Sequence, residues 1–497
     1  MKQRAIVPVL TPIAMEEIPK VTGNTQGLVA DLAALLPPER LVTKPDDLFA
    51  YECDAQTFDR ACPLAVAFPE TTDEVSKIIK LCNKHSVPFV PRGAGTGLSG
   101  GVVAVGSLVI STARLNKILE IDPKSRQAWV QPGVVNIHLS RAVAPLGLHY
   151  APDPSSQYAC TIGGNVAENS GGPHTLKYGV TTNHILALEV VLPDGAIVRM
   201  GSAVADAPGY DLVGVFVGSE GTFGIATRIL VRLTPLPEGV KTILAIFNSV
   251  PDACRGVTEI LARRILPAAI ELIDQKTLRA VEAYIHAGFP QDAAAVLLVE
   301  VDGLLDDLEL QAQAVVDACR QAGVRDVRLA KDEAERAKLW KGRKQAFGAL
   351  GRLAPNYYTH DGVIPRTKLP EVLDRINQIE KDERVLIANV FHAGDGNLHP
   401  VVLYDEREEG VIDRVRRAGE RILKLVCEVG GGLSGEHGIG IEKLSFMKEF
   451  FGEEDLAEMR RVRDVFNPRG LSKPGKAIPS AGRCVEPGSG RKLPVGH

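Results

Sequence analysis

The stretch Pro91-Arg-Gly-Ala-Gly-Thr-Gly-Leu-Ser-Gly-Gly101 follows a short apolar run, Val87-Pro-Phe-Val90. Five of its eleven residues are glycine, so it has few side chains to give a core. What it offers is backbone. Glycine permits positive φ and lets a bulky group approach the main chain. Consecutive N–H groups form a concave anion site suited to a pyrophosphate. A Walker loop would end in Gly-Lys-Ser/Thr, and there is no Lys here. Gly95-Thr-Gly-Leu-Ser-Gly100 fits the bare Gly-x-Gly-x-x-Gly pattern, but that fingerprint opens a helix. The residues that follow, Gly101-Val-Val-Ala-Val-Gly-Ser-Leu-Val-Ile-Ser111, read as β.

Two more glycine-rich stretches lie downstream. Pro152-Asp-Pro-Ser-Ser156 leads to Cys160-Thr-Ile-Gly-Gly-Asn-Val-Ala-Glu-Asn-Ser-Gly-Gly172, and a loop of that length inside a compact domain is usually functional. Val217-Gly-Ser-Glu-Gly-Thr-Phe-Gly-Ile225 enters a strand at 226–233. Between these, residues 71–85 have a capping start and apolar spacing at Val75, Ile78, Ile79 and Cys82, which predicts a helix. Short β segments are expected at 107–112, 118–122 and 127–132. A hairpin at 187–192 and 196–200 turns on Pro193-Asp-Gly195. Residues 1–45 read as an irregular arm with a short helix at 26–36, and organised structure begins near Ala61.

Leu233-Thr-Pro-Leu-Pro-Glu-Gly239 carries two prolines and a glycine and reads as a domain boundary. Beyond it, strands at 242–247, 268–273 and 294–301 alternate with helices at 252–264, 275–286 and 304–322. This pattern predicts a ferredoxin-like antiparallel sheet with helices on one face. Residues 477–497 are rich in Pro, Gly and Arg and read as a loose tail.

A chain of 497 residues should hold at least two domains. Its net charge of −4 gives no support to nucleic-acid binding, which calls for a basic face. No apolar run is long enough to span a bilayer. Lys2 and Arg4 flank only a short apolar patch, Ala5-Ile-Val-Pro-Val-Leu10, and no signal peptide is read. The eight cysteines (Cys53, Cys62, Cys82, Cys160, Cys254, Cys319, Cys427, Cys484) form no C-x-x-C pair. That argues against an iron–sulfur cluster or zinc knuckle in this chain and fits a reduced, cytoplasmic setting.

The densest chemistry lies in the second half. Ile387-Ala-Asn-Val-Phe-His-Ala-Gly-Asp-Gly-Asn-Leu-His-Pro-Val-Val-Leu403 reads as two strands joined by a tight turn, which brings His392 and His399 to one spot. Gly431-Gly-Leu-Ser-Gly-Glu-His-Gly-Ile-Gly440 presents Glu436 and His437. Two His and one carboxylate with an open position form a catalytic set for Zn²⁺ or a similar divalent ion. His85, His138, His149, His286 and His497 read as ordinary structural or surface histidines. Glu436 and His437 are adjacent, so both can serve one substrate only if their loop turns there. Leu339-Trp-Lys-Gly-Arg-Lys-Gln345 offers Arg343 as a bidentate partner for a substrate carboxylate.

Pro-Arg-Gly-Ala-Gly-Thr-Gly-Leu-Ser-Gly resembles the pyrophosphate loop of the vanillyl-alcohol-oxidase, or PCMH-type, FAD flavoproteins. Within them the chain is most similar to the D-2-hydroxyacid dehydrogenase branch that includes the FAD subunits of bacterial glycolate oxidase. The shared motifs span roughly residues 40–476. The resemblance implies an α+β fold: an N-terminal arm and helix (1–60), a two-part PCMH-type FAD-binding domain (61–237), a ferredoxin-like cap or substrate domain with C-terminal helices and the metal site (238–476), and the tail (477–497). It implies that Arg92, Gly93, Ala94, Gly95, Thr96, Gly97 and Ser99 take the pyrophosphate. Asp153, Gly163, Gly164 and Asn165 would lie against the flavin and ribityl chain, and Glu220, Gly221, Thr222 and Ile225 would reach the adenine half. Some relatives attach flavin to a His where this chain has Thr96, so FAD is expected to be dissociable.

The resemblance also implies that His392, His399 and Glu436 hold the metal, with His437 as the base. The expected reaction is oxidation of a 2-hydroxy acid, its hydride passing to FAD. Relatives that act on D-2-hydroxyglutarate carry a Thr, a Lys and an Asn where this chain has Phe347, Thr359 and Val401. That difference favours glycolate or D-lactate over a larger 2-hydroxy acid, and the four-residue catalytic set weighs against a non-catalytic FAD-binding subunit. Glycolate oxidase works as a complex, so the implied partners are a second flavin-fold subunit and an iron–sulfur subunit. They would carry electrons to membrane quinone and could tether the chain to the inner face of the membrane.

Overall fold

The structure is a computed structural model that describes residues 18, 22–204 and 208–480. The apolar patch at 5–10, Cys484, His497 and residues 481–497 of the expected tail lie outside the described residues. The seven cysteines among the described residues are all free.

The first half contains two main sheets and a two-stranded ribbon, Leu148–His149 with Thr234–Pro235. A four-stranded sheet runs in the order Leu41–Val42, Ala65–Ala67, Leu108–Ser111, Phe89–Arg92, and its last three strands are parallel. The helix Thr72–His85 covers it. Thr71 caps this helix by accepting from the Glu74 N–H, and Val75, Ile78, Ile79 and Cys82 form its buried stripe, as the spacing predicts. A five-stranded antiparallel sheet follows in the order Ile118–Asp122, Gln127–Val130, Ile225–Arg232, Ile185–Val191, Ile197–Gly201.

One sequence expectation needs correction here. Residues 25–60 do not form an arm separate from this half. The helix Thr25–Leu35 buries Leu28 and Leu32 against the stripe of Thr72–His85, and Leu41–Val42 pairs with Ala65–Ala67. The 238–476 segment is not confined to the second half in space. The chain re-enters the first half, where Ser472 bridges to Phe89 and the Lys473 N–H donates to the Phe89 carbonyl at 2.8 Å.

The second half is built on one seven-stranded sheet. Its first four strands in sequence, Gly239–Phe247, Ala269–Asp274, Ala295–Gly303 and Asp326–Leu329, lie in spatial order 4-1-3-2 and are all antiparallel. The helices Val250–Ala262 and Leu305–Gln321 pack on one face, as a ferredoxin-like unit requires. A second meander, Leu386–His392, Pro400–Tyr404 and Asn356–Thr359, extends the sheet beyond Ala269–Asp274.

The expectation of helices on one face only does not hold. Ile243, Ala245 and Phe247 point into one core, and the alternate residues Leu244 and Ile246 point into another. That second core is closed by the helices Gln275–Ile285, Glu333–Lys344 and Ala346–Leu350. Side chains alternate faces along a strand, so a strand buried on both faces is largely apolar and pairs any charge it carries, as Glu300 does with Arg336 and Asp302 with Lys177. Ala295–Gly303 is buried at every position but its last.

Candidate active site

His392 ends the strand Leu386–His392, and His399 immediately precedes Pro400–Tyr404. The turn between them is closed by Gly396, whose N–H donates to the His392 carbonyl at 3.2 Å. Its φ is +83°, and a Cβ there would sit 2.3 Å from the Ile364 carbonyl oxygen, so only glycine fits. Both imidazoles present Nε2 to the same carboxylate oxygen, Oε1 of Glu436, at 3.3 Å each. The three potential ligand atoms lie within 4.8 Å of one another.

Each ring is oriented from behind. His392 Nδ1 donates to Glu271 Oε1 at 2.8 Å, and His399 Nδ1 donates to the His360 carbonyl at 3.4 Å. A second-layer acceptor on Nδ1 fixes the tautomer that leaves Nε2 free as a ligand. Oε2 of Glu436 is buried with no hydrogen-bond partner among the described residues. Two imidazole Nε2 atoms and an under-satisfied carboxylate are a donor set that fits a divalent metal ion.

The loop that carries Glu436 and His437 turns around Asp361. The N–H groups of Gly435, Glu436 and His437 all donate to Asp361 Oδ2, at 3.0, 2.9 and 2.7 Å, and the Ser434 hydroxyl donates to it at 2.8 Å. Lys443, itself fully buried, pairs with the other carboxylate oxygen. Burial alone would raise the Asp361 carboxyl; Lys443, then His437, hold it well below the usual carboxylate range. Three consecutive N–H groups converging on one anion curl the backbone into a nest. That curl removes the obstacle of adjacency, because Glu436 and His437 both line the same cavity. His437 stacks on His399 with centroids 5.1 Å apart. Burial pulls its pKa down to about 4, so the imidazole is neutral near pH 7.

The cavity holds about 450 Å³ and runs between the glycine loops of the first half and the His399–Glu436–His437 cluster of the second. The cap side of its wall includes Lys344, Phe347 and Tyr357. Residues 63–201 match the family described as FAD binding domain, and residues 236–477 match the family described as FAD linked oxidases, C-terminal domain. The glycolate oxidase subunit GlcD of Escherichia coli K12 is 46% identical over 91% of this chain and 91% of its own length.

The chain belongs to the FAD-linked oxidase family.

The GlcD subunit of Bacillus subtilis is 40% identical, covering 91% of this chain and 97% of its own. The D-lactate dehydrogenase of Anaerostipes hadrus is 33% identical, covering 84% and 90%. In fold, this FAD-linked oxidase is similar to p-cresol methylhydroxylase, with a TM-score of 0.78 at 16% identity over 95% of this chain and 98% of that one. The 4-ethylphenol oxidase of Gulosibacter chungangensis gives a TM-score of 0.76 at 19% identity over 94% and 98%. The fold is the α+β, PCMH-type one that the loops imply, and no helix among the described residues is long and apolar enough to cross a membrane.

Of the residues that the resemblance assigns to FAD in this oxidase, all but Asp153 and Thr222 line the cavity. Asp153 instead accepts from His174 Nδ1 at 2.9 Å and Lys344 Nζ at 3.0 Å, and its neighbours Pro154, Ser155 and Ser156 form the wall. Thr222 turns its hydroxyl to the Ser219 carbonyl at 2.7 Å. Arg343 does not line the cavity either. It is fully buried behind His392, its Nε donating to Glu271 at 2.6 Å, and its Nη1 has no hydrogen-bond partner among the described residues. The cation that this helix presents to the cavity is the next residue, Lys344. Neighbouring helical positions point roughly 100° apart, so a one-residue difference decides which of the two faces the space.

Sequence reasoning missed Glu271, Asp361 and Lys443. Each is buried and charged, and its partner lies 72 to 121 residues away. It also passed over His174, which links Asp153 of the first half to Glu300 of the second.

Proposed function

We propose that this FAD-linked oxidase oxidises a small 2-hydroxy acid, glycolate or D-lactate, with non-covalently held FAD and a divalent metal ion such as Zn²⁺. The observation that carries the reading is the convergence of His392, His399 and Glu436 at the end of the cavity that the FAD-family loops line. The curated relatives named above, a glycolate oxidase subunit and a D-lactate dehydrogenase, support the substrate class.

The roles follow from the chemistry. Such an oxidation removes the hydroxyl proton and a hydride from Cα. A metal held by His392, His399 and Glu436 would supply Lewis-acid polarisation of the substrate hydroxyl. FAD would supply the hydride acceptor. His437, neutral and lining the same space, takes the hydroxyl proton; a base is most effective when unprotonated at working pH. Glu271 holds His392 in the right tautomer. Arg343 keeps Glu271 ionised from behind His392, and Lys344 is the cation that this helix offers to a substrate carboxylate in the cavity. Phe347 and Tyr357 frame the cap side with apolar surface, which suits a short substrate. Thr359 and Val401 are cross-strand partners, buried and outside the cavity wall, so they add no polar site for a second carboxylate. Electrons then leave to an acceptor outside this chain, consistent with a role beside a second flavin-fold subunit and an iron–sulfur subunit.

The test is anaerobic loss of flavin colour in the FAD-loaded protein. Glycolate, D-lactate, L-lactate and D-2-hydroxyglutarate are added singly, with and without a chelator. Chelator-sensitive bleaching by glycolate or D-lactate is expected. Bleaching by D-2-hydroxyglutarate alone would overturn the substrate size. Bleaching that survives metal removal would overturn the metal role, and no bleaching by any of them would make this chain a binding subunit.

A further inference from the structure

The segment that returns from the cap domain carries an unexplained cation. Asn467 and Ser472 lock the return: Asn467 Nδ2 donates to the Ser472 carbonyl at 2.9 Å, and the Ser472 hydroxyl donates to the Gly221 carbonyl at 2.8 Å. Lys473 follows with φ +50° and only 4% of its side chain exposed. Its ammonium lines the cavity yet donates no hydrogen bond among the described residues. Its nearest anions are Glu220 Oε2 at 3.6 Å and Glu168 Oε1 at 3.9 Å. Glu168 also lines the cavity, and its Oε2 is buried without a partner. A buried donor and a buried acceptor, side by side and both under-used, are complementary to a ligand that presents an acceptor beside a donor.

FAD has one such edge. The pyrimidine end of the isoalloxazine presents the C2 carbonyl as acceptor next to N3–H as donor. The location favours this edge over the diphosphate. A Cβ on Gly438 would lie 2.4 Å from Glu168 Oε2 and 3.0 Å from Glu220 Oε1, so the cluster abuts the residue after His437, where the ring must meet substrate. We propose that Lys473 and Glu168 together recognise the pyrimidine edge of the flavin, Lys473 at the C2 carbonyl and Glu168 at N3–H, and that Lys473 stabilises the reduced ring. Two-electron reduction places negative charge on the N1–C2 carbonyl system, and a fixed cation beside it favours the reduced form. The inference needs only FAD, not the identity of the substrate.

Lys473→Met, Lys473→Arg and Glu168→Gln are made in the full chain and loaded with FAD. The FAD dissociation constant is read by flavin fluorescence and the midpoint potential against a reference dye. Lys473→Met is expected to keep FAD within about tenfold of the parent and to shift the flavin–dye equilibrium toward oxidised flavin by about tenfold, or about 30 mV for a two-electron couple. Lys473→Arg should restore most of that shift. Burial pushes the Glu168 carboxyl up to about 8, so Glu168→Gln is compared at a pH of about 9, where it removes a negative charge and should move the potential the other way. An unchanged potential in Lys473→Met would overturn the proposal. So would loss of FAD in Lys473→Met with recovery in Lys473→Arg, which would assign the cation to the diphosphate. If Lys473→Met does not fold, the sign of the Glu168→Gln shift decides, and a downward or absent shift counts against the pair.

Discussion

The two walls of the cavity are made in opposite ways. The loop at residues 91–101 works through main chain, and its side chains are mostly absent. The cluster of His392, His399, Glu436 and His437 works through side chains. Each of these is held by a buried partner from elsewhere: Glu271 behind His392, the His360 carbonyl behind His399, and Asp361 under the loop of Glu436 and His437. A backbone site needs only that nothing intrudes, whereas a side-chain site needs every supporting contact to be correct. The cluster should therefore be the more fragile wall, and substitutions can test that contrast.

The largest effect is expected from Asp361→Leu. It removes the nearer of Lys443's two buried carboxylates, leaving Glu442 at 3.9 Å; breaking a buried pair typically costs about 3–5 kcal/mol, and the change also frees three N–H groups at once. Thermal unfolding should show the loss, and substrate should no longer reduce the flavin; a stable, active variant would mean that the nest is not what shapes the loop. His437→Ala comes next. It should leave FAD bound while slowing reduction by about 10²–10⁴-fold, the usual worth of a general base, as read by stopped-flow bleaching. A variant as fast as the parent would remove the base from the account.

Glu271→Gln should weaken metal binding by about 10–100-fold, measured by titrating metal into chelator-treated protein, with the FAD content unchanged. The smallest effect belongs to the other wall. Gly95 has φ +72° and a Cβ there would lie 2.3 Å from Arg92 Nη2. Gly95→Ala forces a left-handed alanine at about 1–2 kcal/mol, so FAD affinity should fall about 5–30-fold with the metal site intact. If Gly95→Ala exceeds Glu271→Gln in its effect on turnover, the backbone wall is the more demanding of the two.

The same contrast explains what the sequence disclosed. Glycine runs are local, so the loops at 91–101, 160–172 and 217–225 could be read directly, and so could the strand Ile118–Asp122 and the helix Thr72–His85. His392 and His399 were legible as a pair because one hairpin turn brings them together. Glu271 was not, because it sits in a strand 121 residues away from His392 and looks like any acidic residue among apolar ones. The helices on the second face of the cap sheet were missed for a different reason. The unbroken apolar run Ala293–Val299 already indicates that both faces are covered, whereas the order of strands and helices carries no such information. Arg343 and Lys344 show the limit of residue type as a guide: the cation was anticipated, but which of two neighbours faces the cavity is set by helix phase.

The return of residues 467–478 to the first half has a consequence for how the protein is made. The strand Phe89–Arg92 gains its last neighbour from Ser472, and Arg469 reaches across 383 residues to Ser86. Contacts of such separation are slow to form, and these cannot form until the cap domain has been synthesised. The FAD-binding half emerges early from the ribosome yet stays open along this edge until nearly the whole chain is out, so cofactor loading should follow translation rather than accompany it.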